Sequence, residues 1–328
     1  MTTLAITGIG GFIGHRMVQR AFDEGWRVRG FDINARAVAR AEEAGAEAVV
    51  GDVGDPEFLR EAFDGVDVVF HTAAIVDEGG PRELFERVNV SGTRNVCRAA
   101  RDAGVQRLVH LSSVMVYGFD YPDGVSETAE LSEQTNIYCA TKQESDRIVR
   151  DFHETGGLEV IVIRPGDVYG AGSRPWVLRP LEVMEAGLFS LPAGGDGVIN
   201  HVHVDNLLDA VFLALDKGAT GEVFNVTDGE ATAAKEFFRY HAEWLGQGGV
   251  STLPTPLIKG FATVAAPLWR LFGSEPPATV DAVNFLLRRA KISTERARSE
   301  LGYAPALSLE EGMERVAVQL RRQGRIGG

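Results

Sequence analysis

Short apolar runs of strand length recur through the first half of the chain, separated by longer segments with helical spacing. The runs are Leu4-Ala5-Ile6-Thr7, Arg27-Val28-Arg29-Gly30-Phe31, Ala48-Val49-Val50, Val66-Asp67-Val68-Val69-Phe70, Leu108-Val109-His110-Leu111 and Val160-Ile161-Val162-Ile163. Strands buried on both faces read this way, because no alternate position has to face water. Between them, apolar residues return at helical spacing over 13–24, 35–44, 57–63, 84–103 and 138–153. The alternation predicts an α/β fold with a doubly wound parallel sheet, whose ligands gather at the carboxyl ends of its strands.

After Gly170 the rhythm changes, with Pro175, Pro180, Pro192 and an Ala193-Gly194-Gly195 turn interrupting it. His201-Val202-His203-Val204 reads as a strand entering a helix over 205–215, with Asp205 as its expected N-cap. Val223-Phe224-Asn225-Val226 reads as another strand, and the chain from Thr232 onward is mostly helical in pattern. The expected division is a nucleotide-binding domain of residues 1–170 plus about 205–222. A smaller, discontinuous, mostly helical substrate lobe takes about 171–204 and 223–328. In that lobe Leu257, Phe261, Ala265, Leu268 and Phe272 fall on one helical stripe, with Pro267 expected to kink or restart the helix. Three readings of the stripe stay open: lobe core, a wall or lid over an apolar substrate, or attachment to a membrane surface.

Composition narrows the field. With 328 residues, 45% hydrophobic and 24% charged, the chain fits one large or two closely packed globular domains. A net charge of −13 disfavours nucleic acid as a partner, and also disfavours contact with a membrane surface. Met1-Thr2-Thr3 leads directly into the first strand, so no leader is expected, and no apolar stretch reaches membrane-spanning length. Cys97 and Cys139 are read as free thiols of a reducing compartment, which makes a cytoplasmic location the expectation.

Two motifs carry chemistry. The first is the loop Thr7-Gly8-Ile9-Gly10-Gly11-Phe12-Ile13-Gly14, which follows the first strand and opens the first helix. Gly8, Gly11 and Gly14 allow a tight turn there. They also let backbone amides, those of Phe12 and Ile13 included, approach a pyrophosphate at the helix N-terminus. Asp32 ends the second strand, at the spacing expected of an acid that binds a ribose 2′-hydroxyl. A carboxylate there repels the additional phosphate of NADP, so the expected cofactor is NAD. Arg36, just past the strand, keeps NADP as the alternative.

The second motif is Tyr138-Cys139-Ala140-Thr141-Lys142. Positions i and i+4 share a helix face, so a phenol and an ammonium converge, and a neighbouring cation is expected to draw the phenol towards working pH. With a serine hydroxyl from Ser112-Ser113 in reach, the set suits oxidation of an alcohol or reduction of a ketone.

With these motifs in order, the chain resembles the extended short-chain dehydrogenases/reductases, the superfamily of NAD-dependent epimerases and dehydratases. Further matching segments are Asp52-Val53, His71-Thr72-Ala73-Ala74, Asn89-Val90-Ser91-Gly92-Thr93, Ser112 to Gly118, Arg164-Pro165, His203-Val204-Asp205-Asn206-Leu207 and Leu301-Gly302-Tyr303. The resemblance is closest to the 3β-hydroxysteroid dehydrogenase and dihydroflavonol-reductase-like branch. Val114 and Met115 stand where sugar dehydratases of the family carry an acidic pair, and Gly166-Asp167 and Asn200-His201 replace residues that serve a sugar diphosphate.

The resemblance implies a Rossmann fold and a catalytic set of Ser113 as carbonyl-oxygen donor, Tyr138 as acid/base and Lys142 as its activator. Asp52 and Val53 are expected at the adenine and small Ala73 and Ala74 beneath the cofactor, with Pro165, Val168, Tyr138 and Lys142 also touching the cofactor. No metal is expected. His203 and Asp205 lack a third ligand, His71 and Asn89 are read as structural, and Cys139 is given no chemistry. The expected activity is NAD(P)-dependent interconversion of a secondary alcohol and a ketone on a hydrophobic, sterol-like or similarly bulky substrate. A homodimer is the one protein assembly allowed for. Two alternatives remain: a nucleotide-sugar epimerase, for which Arg288 or Arg289 would have to hold the diphosphate, and a non-catalytic NAD(P)-binding scaffold.

Overall fold

The computed structural model describes residues 1–76, 80–271 and 276–327. Its first half alternates β1 (Thr3–Thr7), α1 (Phe12–Asp23), β2 (Arg27–Asp32), α2 (Ala35–Glu43), β3 (Glu47–Val50), α3 (Pro56–Ala62) and β4 (Val68–His71). There follow α4 (Arg82–Phe85), α5 (Thr93–Asp102), β5 (Arg107–Leu111), α6 (Ile137–Gly156) and β6 (Val160–Pro165). The second half contains β7 (Asp167–Tyr169), α7 (Arg179–Glu185), β8 (Val198–Ile199), β9 (His201–His203), α8 (Val204–Asp216), β10 (Val223–Val226) and β11 (Thr232–Ala233). Four helices complete it: α9 (Ala234–Trp244), α10 (Thr255–Leu271), α11 (Val280–Phe285) and α12 (Leu309–Arg322).

Seven parallel strands form the sheet in the order β10-β6-β5-β4-β1-β2-β3. The strand order reverses between β1 and β4, and that switch point is where such sheets bind ligands. Alternating side chains explain why both faces are covered. Leu4, Ile6, Phe70, Val109, Ile161 and Ile163 enter a core with α1 and α8, while Ala5, Val69, Leu108, Val160 and Val162 enter a second core with α3, α5 and α6. A third core, built around Phe237, Phe238, Leu181, Met313 and Leu320, belongs to the smaller lobe.

Local chemistry sets the helix ends. Asn34, Asp55 and Asn136 cap α2, α3 and α6 with their side chains, and Ser308 with Glu311 forms a capping box on α12. Between α4 and α5 the backbone winds as a π-helix over Glu86–Gly92, which turns Asn89 inward.

Three expectations need correction. Residues 223–226 were assigned to the lobe, yet β10 pairs in parallel with β6 and extends the main sheet, because its four buried residues fill that edge. The N-cap of α8 is His203, whose Nδ1 accepts from the Asp205 amide; the Asp205 carboxylate is drawn instead to Arg16 at 2.5 Å. Finally, α10 runs unbroken from Thr255 to Leu271, so Pro267 does not interrupt it. A proline removes one donor, and the helix continues on the remaining bonds.

Two residues of the apolar stripe of α10 are not core. Leu257 and Phe261 are 61% and 44% exposed, whereas Ile258 and Ala262 are the buried side. The side chains of Ala265 and Leu268, and all of Phe272, lie outside the described residues. Among the described residues no helix is long and apolar enough to cross a membrane.

Candidate active site

Three consecutive residues at the end of β5 each engage one residue on a single face of α6. The Leu111 carbonyl accepts from Lys142 Nζ at 2.7 Å. Ser112 Oγ donates to Asp146 Oδ2 at 2.7 Å. Ser113 lies close enough to Tyr138 to draw its phenol down. Tyr138, Lys142 and Asp146 follow one another at i, i+4 and i+8, so a strand end and a helix face meet residue for residue. Ser113 Oγ is further fixed by accepting from the Met115 amide at 3.1 Å. Ser112 and Ser113 thus do different work, Ser112 as an anchor and Ser113 in the site, as opposite-facing neighbours on an extended chain require.

The electrostatics differ from the expectation at Tyr138. Burial pushes its phenol up to about 12, opposed by Ser113 and assisted by Cys139. Lys142 is not among the groups that move it. The Lys142 ammonium is committed to the Leu111 carbonyl, and burial lowers it to about 8, with Asp146 raising it in opposition. Desolvation therefore outweighs the attraction that the sequence suggested. The Tyr138 phenol is thus held protonated at neutral pH.

Beneath the site the polar groups are paired. Arg164 Nε and Nη2 hold the Asp146 carboxylate at 2.9 Å each, and Arg164 Nη1 donates to the Tyr117 hydroxyl at 2.9 Å. His71 bridges Thr7 Oγ1 at 2.8 Å and Thr93 Oγ1 at 2.9 Å, and burial drives its imidazole down to about 3. Asn89 grips the amide and the carbonyl of Ile75 and also donates to Thr141, so it ties the loop after β4 to α6. Cys97 and Cys139 are free and buried.

The glycine loop lies at the switch point. Gly8 adopts φ 72°, and a Cβ there would come within 3.0 Å of the Ala73 Cα, so the loop rests directly on the small residues after β4. A Cβ on Gly14 would stand 2.3 Å from the Gly8 carbonyl oxygen. Gly10 is as constrained, with Ala37 Cβ 2.2 Å from its own would-be Cβ, and its amide donates to Asp32 Oδ2 at 3.2 Å. Sequence reasoning passed over Gly10, although the Gly10-Gly11 doublet was a visible signal. Asp32 Oδ1 accepts from the Asn34 amide at 3.0 Å. Each Asp32 oxygen keeps a lone pair for a ribose hydroxyl. Gly11 caps α1, and Phe12 packs under Gly170 and Gly172, just after β7; Pro165 ends β6 and Val168 lies in β7. These residues fit a dinucleotide: glycines without room for a side chain, a helix N-terminus, and an acid beside them.

Two predicted contacts sit differently from the rest. The Val53 side chain is buried against Gly92 in the second core, and Asp52 pairs with Arg87 at 2.8 Å while accepting from the Gly54 amide. Arg36 is exposed. Among the described residues no three His, Cys, Asp or Glu side chains are grouped to hold a metal ion. A surface cavity of about 1330 Å³ lies on the lobe between α9 and α12, lined by residues such as Tyr240, Trp244 and Met313, and none of the glycine-loop, Ser113, Tyr138 or Lys142 residues lines it. Strand-end geometry locates the site better than cavity size does.

Comparison with known proteins agrees with this arrangement. The family described as the NAD dependent epimerase/dehydratase family matches residues 4–227. The chain is 29% identical over 327 residues to a 4-hydroxy-2-methyl-3-oxo-4-farnesyl-3,4-dihydroquinoline-1-oxide ketoreductase of Stigmatella aurantiaca, covering 98% of this chain and 96% of that protein. It is 29% identical to a 3-beta-hydroxysteroid dehydrogenase of Mycolicibacterium neoaurum, covering 94% and 88%. Among solved structures, a dTDP-glucose 4,6-dehydratase from Streptomyces venezuelae with NAD bound superposes with a TM-score of 0.79 at 25% identity, covering 98% of this chain and 97% of that one.

Proposed function

The chain belongs to the NAD-dependent epimerase/dehydratase family, and within it we propose an NAD-dependent oxidoreductase that interconverts a secondary alcohol and a ketone on a bulky hydrophobic substrate. The observation that carries the proposal is that the end of β5 and one face of α6 are held in register, Leu111 by Lys142 and Ser112 by Asp146, with Ser113 near enough to Tyr138 to act on its phenol.

A bound nicotinamide would supply the hydride chemistry, its reduced form as donor to a carbonyl carbon and its oxidised form as acceptor from an alcohol carbon. Ser113 holds the substrate oxygen, and Tyr138 gives that oxygen its proton in the direction of reduction and takes it back in oxidation. Lys142 is the cation assigned to the cofactor's ribose hydroxyls. Gly8, Gly11, Gly14 and the α1 N-terminus form the pyrophosphate cradle, and Asp32 takes the adenosine ribose. A hydrophobic substrate is supported by the ring cluster of Phe119, Phe285 and Trp176, and by the two relatives, whose names describe a farnesylated ketone and a steroid alcohol.

The test is a panel of bulky and small ketones and alcohols followed by nicotinamide absorbance, with UDP-sugars as the contrast set. Tyr138→Phe should fold and bind NAD but lose at least about two orders of magnitude in turnover, since only the proton donor is removed. Near-native turnover in that variant would take Tyr138 out of the mechanism.

A further inference from the structure

A buried ion pair joins β7 to the segment after α11, beside Met115. Asp167 opens β7, and its Oδ2 accepts from Arg288 Nη2 at 2.8 Å and from the Asn200 amide at 2.9 Å. Both side chains are almost fully enclosed, 3% and 1% exposed. Arg288 follows α11, which is bound to the cap of the catalytic helix through Asn136 Nδ2 and Asp281 Oδ2 at 2.9 Å. Its Nη1 lies 3.7 Å from the sulfur of Met115, two residues beyond Ser113. Its Nε donates to the Phe285 carbonyl, and its guanidinium carbon stands 3.5 Å from the centre of the Phe285 ring. Every nitrogen of Arg288 is therefore engaged within the protein. The adjacent Arg289 is exposed and its charge acts on Asp196.

The surrounding backbone is sewn in place. Arg288 O accepts from the Val198 amide, and Asn200 ties itself to Tyr121, Ala290 and Ile292. A buried arginine with a fixed carboxylate partner cannot turn to a ligand phosphate without leaving that carboxylate unpaired in an enclosed site. Yet it sits beside Met115, where a substrate held by Ser113 and Tyr138 would extend.

We propose that Asp167 sets the charge the substrate site accepts: by holding Arg288 as a closed pair against Met115 and Phe285, it makes the site take an uncharged apolar substrate and refuse an organic diphosphate. The assignment rests on the oxidoreductase reading above, and it gives that reading a specificity residue.

The experiment uses NAD-saturated protein, so that the cofactor's own diphosphate site is filled, and titrates UDP by calorimetry into wild type, Asp167→Asn and Asp167→Asn/Arg288→Met. Wild type should show no UDP binding up to millimolar concentration. Asp167→Asn, with NAD affinity retained as the check on folding, should gain UDP affinity tenfold or more and raise the KM for a bulky apolar ketone more than for a small one. The double variant should lose the gained UDP binding, because the freed charge is gone. Submillimolar UDP binding by wild type overturns the proposal, whether or not the variants fold. So does a folded Asp167→Asn without the gain, or a gain that survives in the double variant. Because UDP binding is read without turnover, failure of the alcohol–ketone chemistry and failure of this assignment are visible separately.

Discussion

Desolvation holds the Tyr138 phenol in its protonated form although the side chain is only partly enclosed, and the consequence can be measured without substrate. At pH 10, where an ordinary tyrosine is half ionised, a phenol pushed up to about 12 stays protonated. The ultraviolet difference spectrum between wild type and Tyr138→Phe should then contain no phenolate at that pH. Because Lys142 is not among the groups that shift the phenol, Lys142→Met should leave this result unchanged while lowering turnover. A phenolate band at pH 10 would restore Lys142 as the group that governs the tyrosine. Asp32 makes a second prediction at this scale. Its two oxygens each carry one backbone donor and retain room for ribose hydroxyls, so NAD should be preferred, and Asp32→Ala should narrow the gap by weakening NAD and admitting NADP. A tenfold preference of wild type for NADP would mean that the exposed Arg36 controls the pocket. Tyr138, Lys142 and Asp32 were legible in the sequence because each sits at a fixed offset on a regular element. The Asp167–Arg288 pair spans 121 positions and lies on no shared period, so nothing in the sequence pointed to it.

At the scale of elements, strands of the sheet were readable because burial on both faces makes them continuously apolar, and the helices between them because one face repeats. The same logic misplaced β10, since a short apolar run shows that a strand is buried without showing in which sheet. It also misled at α10. An apolar stripe identifies one side of a helix but not what covers it, and here the buried side is that of Ile258 and Ala262, while Leu257, Phe261 and Val264 face outward. Phe261→Asn should accordingly change folding stability by no more than about 0.5 kcal/mol, as surface substitutions usually do. Ala262→Asp, on the enclosed side, should lower the melting temperature clearly, because an unpaired charge would be buried. A large loss of stability in Phe261→Asn would show that the outward face is covered by protein after all.

Across the whole molecule, the catalytic helix is braced by one buried polar chain. Asp146 receives Ser112 from β5, Arg164 from β6 and Arg150 from its own helix. Arg164 passes to the Tyr117 hydroxyl, Tyr117 to Asn225 on β10, and Asn225 to Glu127 and to the Ser293 carbonyl of the C-terminal segment. The same carboxylate that fixes the Tyr138–Lys142 face therefore also links the sheet to its edge strand and to the lobe. Burial pushes the Asp146 carboxyl up, but the two Arg164 bonds, with Ser112 and Arg150, pull it further down, so it lies below the ordinary carboxylate range. A carboxyl depressed in the folded state stabilises the fold at pH values above its ordinary, unfolded value, and that contribution is lost as pH falls through the folded one. Asp146→Asn should cost about 3–5 kcal/mol at pH 7, since it leaves the Arg164 charge enclosed without its partner. Melting temperatures of wild type and variant, taken from pH 7 down through the acid range, should converge, because protonated Asp146 and Asn are then alike in charge. A gap that persists undiminished into acid would mean that shape, not the carboxylate charge, holds the catalytic helix in place.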